Sequence, residues 1–167
     1  MTKLRLSIAQ LNALDHATFI AKFGGIYERS PWVAEQAWGK RPFADRAALE
    51  RAMQQAVLDA GEARQRELLR AHPALGTRLE LSGYSRTEQA AAGLDEASMA
   101  QRRELEALNR AYESKFGFPF IFAVRNASLA AILESCRARI AADANAEFAE
   151  SLRQVFRIAG FRLADLV

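Results

Sequence analysis

Apolar residues recur along this chain at intervals of three and four, the spacing of one buried face of an α-helix. In the stretch that follows Asp45, the residues with this spacing are Leu49, Met53, Val57 and Leu58. Few segments alternate with period two, the pattern of a half-buried strand. Good helix formers dominate the chain, and no repeat or low-complexity linker interrupts it. The pattern predicts an all-α fold, with a single domain over residues 1–167 that forms a bundle of about seven to nine helices.

Capping residues indicate where the first helices begin and end. Asp15 is expected to cap a helix that ends near Gly24. Ser30-Pro31 has the pattern of an N-cap followed by an N1 proline, and predicts a short helix through Trp38. Asp45 is expected to cap the longer helix that follows.

Helix breakers divide the middle of the chain. Gly61 is expected to break or kink the helix that follows Asp45. Pro73 disfavours helical geometry at the preceding residue, so the next helix is expected to stop at about residue 71 or 72. Residues 75–83 are predicted to form a loop. Ser85-Arg86-Thr87-Glu88 is a capping-box pattern that predicts a short helix ending at Gly93.

Three further boundaries complete the helical prediction. A helix is expected over residues 96–115, with Gly117 as its C-cap. Asn126 or Ser128 is expected to cap the next helix, and Asn145 the last one.

Residues 118–124 form an apolar run, Phe-Pro-Phe-Ile-Phe-Ala-Val, between two predicted helices. A buried strand would fit the composition, but the proline and the isolation among helices favour an extended, packed loop. The backbone groups of such a loop lack ladder partners and must be satisfied in another way. Phenyl rings packed in the core are one interpretation. A heterocyclic ligand rich in amide-like groups, covered by those rings, is the other.

The sequence contains two histidines, and their positions differ. His16 lies in the first turn of a predicted surface helix and is expected to be structural or exposed. His72 lies at a helix end immediately before Pro73, so its side chain is mounted on a stiff part of the backbone. The C-terminal end of a helix favours a protonated imidazole, which suits a proton donor or an anion-binding group. A histidine that satisfies the last helix carbonyls is the alternative interpretation.

The Ser85-x-x-Glu88 motif also has two interpretations. Reciprocal capping of the helix N-terminus explains both residues. The same N-terminus is an anion site to which Gln89 could add an amide donor. The two roles are compatible, because a capping carboxylate can also orient an imidazole.

Composition and charge argue against several other classes of protein. The net charge is +3, from 23 Lys and Arg against 20 Asp and Glu. The charges of opposite sign are interspersed, so no basic stripe for nucleic acid is found, although the balance favours an anionic small substrate. No apolar run is long enough to span a bilayer.

The sequence offers little for metal or thiol chemistry. Cys136 is the single cysteine, which excludes an intrachain disulfide, indicates a reducing cytoplasm and is expected to lie in the core. No second histidine is found near His72, so a metal site is not expected.

Four blocks of the sequence resemble the family of 2-oxo-4-hydroxy-4-carboxy-5-ureidoimidazoline (OHCU) decarboxylases. The blocks are Ser30–Ala34, Ala71–Gly76, Ser85–Leu94 and Leu108–Ile121. They occur in the family's order, and the resemblance extends from about Leu11 to Leu166. Residues 74–84 differ, being shorter than in many relatives and lacking a Leu-Thr pair before the serine.

The resemblance implies an all-helical enzyme, usually a homodimer, that needs no cofactor. The implied activity is a carboxy-lyase reaction that forms (S)-allantoin in the last step of urate degradation. His72 would be the catalytic residue, assisted by Glu88. The residues implied to bind the substrate are Pro73, Ser85, Gln89, Phe120, Ile121, Phe122, Ala123, Val124, Arg125 and Arg162.

Two other functions compete with this expectation. A non-catalytic helical module would keep the pocket and bind allantoin-like ureides or a protein partner. A helical nucleic-acid-binding protein would show strongly salt-dependent affinity, which the interspersed charges do not favour.

Overall fold

A computed structural model describes residues 4–76, 83–91 and 98–167 of the chain. These residues contain nine α-helices and no strand, which confirms the predicted all-α class. In chain order the helices are α1 (Ile8–Asn12), α2 (His16–Phe23), α3 (Trp32–Trp38), α4 (Arg46–Asp59), α5 (Glu62–Ala71), α6 (Gly83–Ala91), α7 (Met99–Phe116), α8 (Leu129–Ile140) and α9 (Ala144–Ala164). The predicted helix end at Gly93 and the predicted helix start at residue 96 lie outside the described residues.

Side-chain caps fix several helix starts as the sequence predicts. Asp15 accepts a hydrogen bond from the Thr18 N–H at 2.7 Å, and Asp45 accepts one from the Ala48 N–H at 2.7 Å. The Thr18 hydrogen bond holds the pKa of the Asp15 carboxyl below its ordinary value. Ser128, one of the two expected candidates, caps α8.

The starts of α1, α3 and α9 differ from the prediction. Pro31 already has helical dihedral angles, while the Ser30 hydroxyl donates to the Glu28 carbonyl instead of capping α3. Asp143, not Asn145, accepts from the third N–H of α9. The pattern of apolar residues does not predict α1, whose signal is a capping box between Ser7 and Gln10.

The helices end or are interrupted where the sequence predicts. Gly61 lies between α4 and α5, and α5 ends at Ala71. Gly117 follows α7 with φ of 79°, the left-handed geometry of a helix C-cap. Residues 119–124 have neither helical nor strand structure, so the extended loop is confirmed.

The chain groups into two compact units. The first contains Met1–Ala71 and Phe156–Val167, and the second contains His72–Val155. The helix α9 begins in the second unit and ends in the first. The single domain over residues 1–167 stays a prediction.

The first unit contains α1 to α5 and the end of α9. In it, α3 packs against both α2 and α4, and α4 also contacts α5. Its fully buried side chains include Leu11, Phe19, Phe23, Leu49, Met53, Val57, Leu68 and Leu69. The apolar positions 49, 53 and 57 that the pattern predicted are all in this core, whereas Leu58 is exposed.

The second unit contains α6 to α8 and most of α9, with α7 packed on α8. Tyr112 is in contact with the rings of Phe116, Phe118 and Phe120. Cys136 is fully buried, as expected, and burial raises the pKa of its thiol to about 11. None of the helices in the described part of the chain has the length and apolarity needed to cross a membrane.

Candidate active site

His72 lies where the sequence predicts, one residue beyond the end of α5 and directly before Pro73. It is buried, with 7 % of its surface exposed. The backbone after it turns sharply, and Gly76 has φ of 79°. A side chain mounted between a helix end and a tight turn has a restricted range of positions, as a catalytic group requires.

Two amide side chains hold this turn in place. The Gly76 N–H donates to Oε1 of Gln89 at 3.0 Å. The Leu75 carbonyl accepts from Nδ2 of Asn109 at 2.8 Å. Both Gln89 and Asn109 are buried. The turn that carries His72 is therefore fixed from α6 and from α7. No local pattern in the sequence indicates the contact made by Asn109, which lies 34 positions from Leu75.

The bond to Gly76 also fixes which way the Gln89 amide faces. Only the amide oxygen can accept from a backbone N–H, so Nε2 must occupy the other position. Among the described residues, this Nε2 group has no hydrogen-bond partner. Gln89 therefore presents a donor, which matches a carbonyl or carboxylate oxygen of a ligand.

The helix α6 corrects the predicted capping box. It begins at Gly83, two residues before Ser85, so neither Ser85 nor Glu88 occupies a capping position. Instead Ser85, Glu88 and Gln89 have the spacing i, i+3 and i+4, which places them on one face of the helix. Ser85 and Gln89 are buried and Glu88 is half-buried. The structure thus brings together three of the predicted site residues, for a reason that differs from the predicted one.

The segment of residues 118–124, which we name the aromatic segment, is held by side chains from α8 and α9. Nη1 of Arg139 donates to the Ile121 carbonyl at 2.6 Å. The Ala123 N–H donates to Oε1 of Gln154 at 2.9 Å. Two of the backbone groups that lack ladder partners are thus satisfied within the protein.

Arg139 belongs to a buried polar cluster behind the aromatic segment. It forms an ion pair with Glu147, which also accepts from the Tyr112 hydroxyl at 2.5 Å. The Ser151 hydroxyl lies 3.1 Å from that of Tyr112 and 3.2 Å from Nη2 of Arg139. Burial, and then the hydrogen bond to Glu147, raises the pKa of Tyr112 far above its ordinary value. Tyr112 therefore stays a neutral donor. No local pattern in the sequence predicts this cluster, because its members lie far apart in the chain.

The two predicted arginines are in different surroundings. Arg125 is half-buried, in the turn directly after the aromatic segment. Arg162 is buried in the first unit, where Nη1 donates to the Ile26 carbonyl at 3.1 Å and Nη2 lies 3.2 Å from Glu28. The contact with Glu28 gives Arg162 a structural role whether or not it binds a carboxylate.

Two further features bear on the chemistry. Within the described ranges, no group of three His, Cys, Asp or Glu side chains is placed to hold a metal ion. A cavity of about 600 Å³ in the first unit is lined by residues of α3, α4 and α5, among them Trp32, Arg51 and Arg64. None of the predicted site residues lines that cavity.

Comparison with known proteins identifies the family. The profile of the OHCU decarboxylase family matches residues 12–164. A 2-oxo-4-hydroxy-4-carboxy-5-ureidoimidazoline decarboxylase of Halalkalicoccus jeotgali is 43 % identical over 162 residues, covering 97 % of this chain and 92 % of the relative. A protein of the same name from Haloferax volcanii is 44 % identical over 160 residues, covering 96 % and 95 %. The chain belongs to the OHCU decarboxylase family.

Solved structures agree with this assignment. An (S)-allantoin synthase has a TM-score of 0.76 at 30 % identity, covering 96 % of this chain. This chain spans about half, 54 %, of that protein. An OHCU decarboxylase crystallised in the presence of (S)-allantoin has a TM-score of 0.66 at 21 % identity, over 80 % of this chain and 88 % of its own, and supports the fold.

Proposed function

We propose that this chain decarboxylates 2-oxo-4-hydroxy-4-carboxy-5-ureidoimidazoline to (S)-allantoin, the last step of urate degradation. Family membership supports the reaction, since relatives 43 % and 44 % identical carry the name of this decarboxylase. The structural observation that carries the proposal is the mounting of His72. It is buried beside a turn whose backbone is held by Gln89 and Asn109.

The chemistry explains why the residues of this chain can suffice. When the C–C bond to the carboxylate breaks, carbon dioxide leaves and the electron pair remains on the ring carbon. The adjacent C=N bond of the imidazoline ring accepts that pair, so the substrate supplies its own electron sink. The protein must orient the carboxylate out of the ring plane, stabilise the developing charge and deliver a proton to one face.

The residues divide these tasks. His72 interacts with the substrate hydroxyl and delivers the proton to one face of the ring. The choice of face sets the S configuration. Glu88 orients His72 or adjusts its charge. Ser85, Pro73 and the Nε2 donor of Gln89 contact the substrate. The backbone of residues 120–124 binds the ureido and ring amides, and Arg125 or Arg162 meets the carboxylate.

The decisive variant is His72→Asn. It keeps a polar side chain but removes the group that can transfer a proton near neutral pH. We expect the rate of (S)-allantoin formation from freshly generated substrate to fall by at least about 100-fold, the usual contribution of general acid–base catalysis. Circular dichroism follows the chiral product directly.

His16→Asn is the matched control. His16 is exposed and lies 2.7 Å from Glu35 on α3 in the first unit, so its loss should leave turnover unchanged. Stereospecific turnover at the wild-type rate by the His72 variant would contradict the assignment. If the wild-type protein bound allantoin without any turnover, the non-catalytic ureide-binding module would replace the enzyme.

We also propose that the enzyme is a cytoplasmic homodimer that needs no cofactor. The family resemblance supports the dimer, and a single buried cysteine suits a reducing compartment. Light scattering coupled to size-exclusion chromatography measures the mass, and a monomer at micromolar concentration would contradict the dimer. If the enzyme needs no cofactor, it should keep full activity after exhaustive dialysis against a chelator.

A further inference from the structure

We propose that Arg139 and Gln154 are positioning residues, which hold one edge of the aromatic segment so that its other edge is presented to the substrate. The inference rests on the proposed function. It adds two residues that act on the site through the aromatic segment. Both make hydrogen bonds to its backbone, and Arg139 also contacts the Phe120 ring.

Backbone groups alternate between the two edges of an extended chain. The N–H and C=O of one residue point to the same edge, and those of the next residue point to the opposite edge. Ile121 and Ala123 therefore share an edge. This is the edge at which Arg139 donates to the Ile121 carbonyl and Gln154 accepts from the Ala123 N–H.

The opposite edge carries the backbone groups of the alternate residues. Phe120, Phe122 and Val124 direct their backbone groups there. The Val124 carbonyl accepts from the Ala127 N–H at 3.0 Å, in the turn that follows. In the part of the chain that the structure describes, the N–H groups of Phe122 and Val124 have no partner. These two N–H donors lie two residues apart on the same edge, and together they can bind the carbonyl oxygens of a ureide.

Neither of the two side chains that hold the segment is free to turn. Nε2 of Gln154 donates to Glu150 at 2.7 Å, so both ends of the amide are engaged. Burial alone would raise the pKa of Glu150, but hydrogen bonds from Gln154 and Arg153 hold it below its ordinary value. Glu150 is therefore an ionised acceptor at neutral pH, and it fixes the direction of the Gln154 amide.

Arg139 is constrained still more strongly. Its guanidinium contacts Glu147, Ser151 and the Ile121 carbonyl, and its central carbon lies 4.6 Å from the centre of the Phe120 ring. A planar fork can make these bonds together, whereas a lysine ammonium cannot reach them from one position. Arg139 therefore fixes the position of the Ile121 backbone and of the Phe120 ring in the aromatic segment.

The test uses Gln154→Leu and Arg139→Lys. Gln154→Leu removes the acceptor for the Ala123 N–H, and Arg139→Lys keeps the charge beside Glu147 but loses the fork. We expect KM and the calorimetric dissociation constant of (S)-allantoin to rise about tenfold in each, the effect of a weakened hydrogen-bonded contact. The kcat should change less, because His72 and its turn are untouched.

Matched controls separate positioning from stability. Gln65 is also a buried glutamine, which donates to the Val57 and Leu58 carbonyls of α4. Gln65→Leu should lower Tm but leave KM unchanged. Arg137 lies on α8 with an exposed partner, Glu104, so Arg137→Lys should change neither quantity.

The outcomes are distinct. If Gln154→Leu and Arg139→Lys lower Tm while KM and the allantoin affinity stay at wild-type values, the two residues are only structural and the inference is wrong. Should one variant fail to fold, the other decides. Failure of the proposed function has a different signature, because the wild-type protein itself would then produce no allantoin.

Discussion

Two buried tyrosine hydroxyls differ in their partners and therefore in their contribution to stability. Tyr112 donates to Glu147 inside the second unit. The Tyr27 hydroxyl is buried without a partner among the described residues. Burial, and then the charge of Glu50, raises the pKa of Tyr27 far above its ordinary value. Both side chains are thus held neutral in the folded state.

We expect the free energy of unfolding to fall as the pH rises above about 10. The unfolded tyrosines ionise there while the folded ones keep their protons, so each costs up to about 1.4 kcal/mol per pH unit. Urea unfolding between pH 8 and pH 11 measures the slope. Tyr27→Phe should flatten it at almost no cost at pH 7, whereas Tyr112→Phe should cost about 1–3 kcal/mol because Glu147 loses a donor. Equal slopes in all three proteins would contradict this linkage.

The sequence identifies individual residues when their role depends on residues adjacent to them in the chain. His72 before Pro73 could be selected because the proline acts on the adjacent residue. Arg139 could not be, because its partners Ile121 and Ser151 are 18 and 12 positions away and no local pattern connects them. From the sequence alone, Arg139 cannot be distinguished from the other charged residues of its helix.

The turn after α5 decides where the His72 side chain lies. Gly76 ends the turn that carries His72, and a Cβ added there would come within 2.8 Å of Leu105 Cδ2. Gly117 has the same φ of 79°, but a Cβ there would meet nothing within 4 Å. The two positions thus share a left-handed backbone that would strain any residue with a Cβ, and they differ in their surroundings.

We expect Gly117→Ala to cost about 1 kcal/mol of stability through the left-handed backbone alone, with unchanged kcat. Gly76→Ala should cost more and should also lower kcat, because relief of the clash shifts the turn that positions His72. Thermal unfolding and steady-state kinetics on both variants provide the comparison. A Gly76→Ala enzyme with wild-type kcat would show that the turn tolerates the shift.

Helix existence could be predicted from the sequence more readily than helix starts. The starts of α2 and α4 follow from Asp15 and Asp45, which act on N–H groups three residues away. The start of α6 could not be read in this way, because Ser85-x-x-Glu88 matches a capping box while the helix begins at Gly83. Ser85 and Gln89 are buried by tertiary packing, and this packing overrides the local capping-box pattern.

A buried ion pair joins distant parts of the chain within the first unit. Arg162 and Glu28 are 1 % and 2 % exposed, and they lie 134 positions apart in the sequence. In the same unit, the Leu6 N–H donates to the Leu166 carbonyl at 2.7 Å, a second link between the N-terminal and C-terminal parts of this unit. Removing one partner of such a pair leaves an uncompensated buried charge.

We expect Arg162→Met to lower the free energy of unfolding by about 3–5 kcal/mol. The double variant Arg162→Met with Glu28→Gln should recover part of that loss, because the orphaned carboxylate is then absent. A double-mutant cycle by urea unfolding measures the coupling. Additive effects of the two substitutions would refute the coupling. Allantoin binding by the double variant then reports separately whether Arg162 meets the substrate.

The division of the chain into two units has a consequence for synthesis on the ribosome. The second unit is continuous from His72 to Val155, whereas the first needs both Met1–Ala71 and Phe156–Val167. Chains emerge from the N-terminus, so the first 71 residues must wait, with apolar side chains such as Phe19 and Leu49 lacking part of their final environment. The second unit is therefore the first that can be completed, and the nascent N-terminal helices expose these apolar side chains until residues 156–167 have been made.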